Sequence, residues 1–342
     1  MLPVFDGHND VLTREDHAGF VSGRADGDLD LPRMRAGGMR GGIFAVFTES
    51  RHSPMRPVPR ADGGFEFELA SRVSPHRAAA ESSAAAGRLM AWERAGRLRV
   101  GREIEHLDAA LSDDGPPVAV LHLEGAEAIS PSLEALELWY AAGLRSLGPV
   151  WSRPNAFGHG VQFVSPSSPD IGPGLTDAGR ALVRRCADLG ILVDLSHLND
   201  AGFWDVARIE AGPLVASHSG AHRLCQTSRN LTDAQLDAIG ESGGLVGIVF
   251  ACPFLRPDFA EDPDTPPHLI VEHARYVADR IGVEHVALGS DFDGAMIPRS
   301  MGGAAGIPAL LDALSEAGFT EDEVAAIAWK NWRRVLAAWW RG

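Results

Sequence analysis

Pro3-Val4-Phe5-Asp6-Gly7-His8-Asn9-Asp10 decides the fold: a short apolar run stops abruptly in polar side chains of metal-ligand type. The pattern recurs down the chain. Leu121-His122-Leu123 runs into Glu124-Gly125, Asp194-Leu195 into Ser196-His197, Ala216-Ser217 into His218-Ser219-Gly220, and Gly289-Ser290 into Asp291-Phe292-Asp293-Gly294. Short apolar runs bounded by turn residues read as buried parallel strands. Residues 3–7, 42–47, 118–123, 144–150, 191–195, 214–217, 245–250 and 286–290 are the runs of this kind.

Helical patterns lie between most of them, at 76–94, 132–142, 176–189, 200–209, 232–242 and 267–281. Thr176-Asp177 and Thr232-Asp233 are N-cap starts, where a hydroxyl can take a free backbone N–H. The tail reads as two helices, 308–317 and 321–340, the second carrying Trp329, Trp332, Trp339 and Trp340. Eight βα units predict an α/β fold: a closed (β/α)8 TIM barrel with a C-terminal helical extension. No GxGxxG follows the first strand, which argues against a dinucleotide-binding open sheet. The chain is expected to be one barrel domain over residues 1–342, with 48–76 an excursion over the barrel mouth.

In such a barrel the C-terminal strand ends meet at one mouth, where the chemistry sits. That convergence brings His8, Asp10, Glu124, His197, His218 and Asp291 together from distant parts of the sequence. Each has a plain alternative: His8 with Asp10 as a polar cluster, either later histidine as a satisfied core residue, Asp291 as a turn cap. Their joint position at strand ends favours a metal site, since imidazole and carboxylate without thiolate suit a divalent cation. A catalytic metal takes about three protein ligands, so five ligands fit two metals if one carboxylate bridges. Glu124 is the natural bridge. A carboxylated lysine cannot serve at a strand end, because the only lysine is Lys330 in the tail.

A formal net charge of −15 disfavours nucleic acid and anionic membranes as partners. Three widely spaced cysteines form no CxxC pattern and read as reduced, buried thiols. The chain enters an apolar run at once, without a basic leader, and has no run of 18 apolar residues. A cytoplasmic protein is expected. The tryptophan-rich tail is expected to pack on the barrel, with a homodimer contact as the alternative.

Taken together, Asp6-Gly7-His8-Asn9-Asp10, Glu124-Gly125, Asp194-Leu195-Ser196-His197, Ser217-His218-Ser219, Ser228-Arg229-Asn230 and Ser290-Asp291-Phe292-Asp293-Gly294 resemble the membrane (renal) dipeptidase family of zinc peptidases. Asn331-Trp332 is similar to its C-terminal pattern. The resemblance implies one zinc on His8, Asp10 and Glu124 and a second on Glu124, His197 and His218. It implies Asp291 as acid/base and Arg229 as the residue that binds the C-terminal carboxylate of a dipeptide, hydrolysed by a hydroxide bridging the metals. Two places depart from the family. The substrate-contacting histidine after the fourth strand is missing from Val150-Trp151-Ser152-Arg153-Pro154-Asn155, so either His159 takes its role from a longer loop or the role is lost. An aromatic expected after the seventh strand is unmatched in Phe250-Ala251-Cys252. The alternative reading is another two-metal barrel hydrolase acting on a lactone, phosphoester or cyclic amide.

Overall fold

The computed structural model describes residues 1–50, 57–112 and 115–340. Its centre is a ring of eight parallel strands. They are β1 (Val4–Asn9), β2 (Met39–Phe47), β3 (Val118–Glu124), β4 (Leu144–Gly148), β5 (Leu192–Val193), β6 (Val215–Ser219), β7 (Leu245–Ile248) and β8 (Val286–Leu288). Regular pairing joins β1 through β5 and β6 through β8. A bridge between Asp194 and Val215 joins β5 to β6. Closure comes at Asn9 and Phe292, where Asp10 N–H donates to the Phe292 carbonyl at 2.9 Å. The predicted (β/α)8 barrel is the observed fold.

Every residue of β1 and β3 is buried. This is what a parallel strand covered on both faces requires, and it explains the unbroken apolar runs. Helices Pro75–Arg94, Glu134–Ala142, Asp177–Leu189, Asp200–Ala207, Asp233–Glu241 and His268–Ile281 lie between the strands in sequence. Thr176 accepts from Gly179 N–H, and Thr232 forms a capping box with Gln235. Both predicted caps are thus formed.

The strands are shorter than the apolar runs at several C-terminal ends, because the chain leaves the ladder to aim side chains into the mouth. His197, Asp291 and Asp293 all adopt left-handed backbone there, with φ of 67°, 64° and 65°. This conformation is uncommon for residues with a Cβ and gathers at functional sites. Over the mouth, Pro57–Pro59, Phe65–Phe67 and Val164–Ser165 form a small antiparallel sheet. It covers an apolar cluster that includes Phe67, Phe163, Phe254 and Phe259. The excursion after β2 therefore carries structure of its own, and residues 51–56 of it lie outside the described residues.

The barrel floor is closed by the tail, which is not one helix. Glu321–Ala325 passes through a π-helical turn, Ala326–Lys330, into Asn331–Trp339. With that turn in place Trp329 and Trp332 both meet Phe5, at ring-centroid distances of 5.8 and 5.7 Å. Trp332 also donates Nε1–H to the Leu288 carbonyl at 2.9 Å. Gly7 has no room for a Cβ, which would strike the Trp332 ring and the Ser217 and Leu288 carbonyls. All four tail tryptophans are buried within the chain.

Candidate metal centre

Five side chains converge at the mouth around Glu124. Its Oε2 faces His8 Nε2 at 3.7 Å, and His8 Nε2 is 3.5 Å from Asp10 Oδ2. Its Oε1 faces the other way, 3.0 Å from His197 Nε2 and 3.6 Å from His218 Nε2. The two imidazole nitrogens stand 3.0 Å apart. Two buried triads, His8–Asp10–Glu124 and Glu124–His197–His218, therefore share one carboxylate. Asp291 joins His8 and His218 in a third grouping of ligand atoms, all within 4.8 Å of one another.

These residues fit a divalent metal on more than their types. His8 Nε2 and Asp10 Oδ1 are buried with no hydrogen-bond partner among the described residues, a costly state unless something else satisfies them. Burial and the nearby Arg229 hold the His197 pKa down at about 4, and burial with the neighbouring imidazoles holds His218 well below its usual value. Both rings are thus neutral near pH 7, the form that binds metal. Burial opposes a charge on His8, yet Glu124 and Asp10 outweigh it and hold its pKa well above the ordinary value. Burial lifts the Asp291 carboxyl to about 7, with Asp10 and Glu124 pushing the same way against His8 and Arg229.

A second layer orients the rings. Ser152 Oγ lies 2.8 Å from His197 Nδ1. Ser217 Oγ lies 2.8 Å from His218 Nδ1 and donates to Asp194 Oδ2 at 2.5 Å. Each hydroxyl can take the Nδ1 proton, which leaves Nε2 free to coordinate. Asp194 also accepts from the Ser196 and Ser217 amides at 3.0 and 2.8 Å. Under His8, His122 sits on Ser146 Oγ at 2.8 Å with its Nε2 3.8 Å from Asp194.

A cavity of about 760 Å³ opens above the cluster, with Asp10, Glu124, His197 and Asp291 in its floor. Phe47, Trp151, Phe163 and Phe254 contribute aromatic wall, and the helix Pro75–Arg94 contributes Arg77, Glu81 and Arg88. Trp151 stands where the family's histidine was sought, 5.7 Å from the His197 ring. His159 pairs with Pro154 in a bridge and is not among the residues lining the cavity. An aromatic does follow β7: Phe254, delivered by the short helix Cys252–Leu255. Arg229 is buried behind the lining. Its Nη1 and Nη2 donate at 2.8 Å to Ser219 Oγ and the His218 carbonyl, and its Cζ lies 5.6 Å from the Phe254 ring centroid. Its Nε has no hydrogen-bond partner among the described residues.

Asp293 secures the loop behind Asp291. It accepts from Arg24 Nη2 at 2.5 Å and from the Asp28 amide at 2.8 Å. Gly294 follows, and a Cβ there would strike Asp10 Oδ2 and Asp291 Oδ1.

The family model described as membrane dipeptidase, peptidase family M19, matches residues 1–339. The chain belongs to the M19 membrane dipeptidase family. Within it, a metallopeptidase from Rhodobacter sphaeroides, solved with a phosphinate mimic of the dipeptide L-Ala-D-Ala, is similar over 99% of both chains, with 42% identity and a TM-score of 0.92. The M19 metallopeptidase dipeptidase AC is 44% identical over 99% of both chains, also with a TM-score of 0.92. An uncharacterized protein encoded 5′ of pqqA in Klebsiella pneumoniae is 44% identical over 72% of this chain and 91% of its own. The buried histidine and carboxylate cluster is consistent with a metal site in a metallopeptidase family. No helix among the described residues is long and apolar enough to cross a membrane.

Proposed function

We propose that this M19 protein is a zinc-dependent dipeptidase with two metals, one on His8, Asp10 and Glu124 and one on Glu124, His197 and His218. The observation that carries the reading is Glu124, whose two oxygens face different pairs of ligands. Two divalent cations held by these residues would supply a water acidic enough to attack near neutral pH and would polarise the scissile carbonyl.

The chain's own residues do the rest. Asp291 takes the proton of the attacking water and passes it to the leaving nitrogen; the positive field of bound metals would keep its carboxylate ionised until that proton arrives. Its left-handed backbone and the Asp293 anchor behind it keep the carboxylate aimed over the cluster. Phe163, Phe254 and Trp151 exclude water from the substrate. Arg229 provides the positive charge for the substrate's α-carboxylate. Its charge meets no acid within ion-pair distance among the described residues, and its free Nε supports that role.

A relative of 42% identity binds a mimic of L-Ala-D-Ala, which supports dipeptides as the substrate class and makes L,D as well as L,L peptides the ones to assay. Three free, buried cysteines support the cytoplasm as its compartment. The test is a screen of L,L and L,D dipeptides with zinc-loaded protein. Release of free amino acids that stops on chelation is expected. Absence of hydrolysis across both series would overturn the reading.

A further inference from the structure

We propose that Arg88 makes this cavity selective for dipeptides that carry a side-chain carboxylate, an inference that rests on the dipeptidase reading above.

The helix Pro75–Arg94 turns Arg77, Glu81, Ala84, Ala85 and Arg88 to the cavity. Offsets of 4, 7, 8 and 11 residues trace one helical face. The two alanines leave space, and the two arginines flank it. Arg77 is already committed: its Nε donates to Glu81 Oε1 at 2.7 Å, and its Nη2 donates to the Glu49 carbonyl. Arg88 is held differently. Its Nη1 donates to the Leu12 carbonyl at 2.6 Å, and among the described residues no carboxylate lies within ion-pair distance of it. A carbonyl fixes the guanidinium without neutralising it. The tether also sets the charge beside the Asp10–Thr13 segment, next to the proposed ligand Asp10.

Several described arginines lack an acid, but Arg88 is the one that also lines this cavity. Among the described residues, three other arginines near the mouth are met by acids. Arg14 and Arg24 reach Asp16 and Asp293, and Arg153 reaches Glu127. Arg229 and Arg88 remain, on the β6 side and on the helix after β2. A dipeptide has one α-carboxylate, which occupies Arg229 in the proposed function. The second arginine therefore matches a second carboxylate, on a side chain. The Nε and Nη2 edge of Arg88 makes no hydrogen bond among the described residues, and this edge is the fork that takes a carboxylate by two parallel bonds.

Size and surroundings agree. About 760 Å³ falls in the range of pockets that hold drug-sized ligands, so a long side chain fits beside the peptide. Glu49, Glu81 and Glu261 also line the cavity, but they are exposed at its rim, where salt screens them. Arg88 is half-buried and held on the Leu12 carbonyl, so a charge pair there is screened less than one at the exposed rim.

The experiment compares kcat/KM of the zinc-loaded enzyme for Ala-Glu with Ala-Gln, and Glu-Ala with Gln-Ala, in L,L and L,D series. Glutamine copies the shape of glutamate without its charge, so the Glu-to-Gln ratio isolates Arg88 from any general change in activity. The ratio is expected to be about tenfold or more at one position in the unaltered enzyme. Arg88→Met should bring it near one, chiefly through KM, Arg88→Lys should keep part of it, and Arg88→Glu should invert it. A wild-type ratio near one at both positions, or one that survives Arg88→Met, overturns the proposal. If the uncharged dipeptides are not cleaved either, the dipeptidase reading falls, and the proposal with it.

Discussion

His197 Nε2 stands 3.0 Å from Glu124 Oε1, while the other oxygen of that carboxylate is turned to His8. One side chain from the end of β3 thus belongs to both halves of the centre. Removing its charge must affect both metals, whereas removing His197 affects one. Glu124→Gln is expected to lower bound zinc from two per chain to below one; His197→Ala should leave about one. Elemental analysis after gel filtration reads the difference. Equal loss from the two variants would contradict a bridging role.

Asp291 has a different expectation, because its carboxyl moves protons in the proposed function. Asp291→Asn should keep zinc content near that of the unaltered protein and lower kcat by about 10²–10⁴-fold. Metal content and turnover are measured on the same sample. Loss of zinc instead would make Asp291 a ligand.

The hydroxyl relay behind His218 predicts an effect at one remove. Ser217→Ala takes away the group between His218 Nδ1 and Asp194 Oδ2. Zinc affinity, read by competition with a chromophoric chelator, should weaken about 10–100-fold while the fold persists by circular dichroism. Unchanged affinity would show that ring orientation needs no such support.

Metal uptake should also depend on pH. Glu124 and Asp10 hold the His8 pKa well above its usual value against the opposing effect of burial, so the metal-free protein carries a proton there at pH 7. Zinc must displace it, and affinity should rise as pH rises from 6 to 8. His197, held near 4 by burial and Arg229, is already neutral in that window and adds nothing to the slope. Calorimetry in buffers of different ionisation enthalpy should detect about one proton or more released per chain. A pH-independent affinity would contradict this electrostatic picture.

On stability, Trp332 closes the barrel floor against Phe5 and Gly7. Trp332→Ala should destabilise the fold by about 3–5 kcal/mol in denaturant unfolding. A cost under about 1 kcal/mol would show that the tail is peripheral.

Much of this was legible in the sequence, for a definite reason. A strand buried on both faces carries few polar side chains, so the switch from Val4-Phe5 to His8-Asn9-Asp10 marks both the strand and the site. The apolar run outlasts the ladder after β7, where Val249 and Phe250 follow its end at Ile248, so sequence pattern alone does not mark that strand end. The helix Leu31–Ala36 is too short to display a period. His122 and Asp194 lie in apolar runs, and only the folded barrel puts them beneath His8. The aromatic wall is assembled from Phe47, Trp151, Phe163 and Phe254 on four separate segments, and no local spacing connects them. Nearness in sequence points to His159, whereas the chain at 150–153 turns Trp151 into the cavity.

The central claim is that two metals sharing Glu124 make this protein a dipeptidase. The most direct measurement strips the protein with a chelator and follows dipeptide hydrolysis as zinc is returned in steps. Activity absent without metal and reaching its maximum at two equivalents per chain is the predicted result. Full activity in the stripped protein, or a maximum reached at one equivalent, would contradict it.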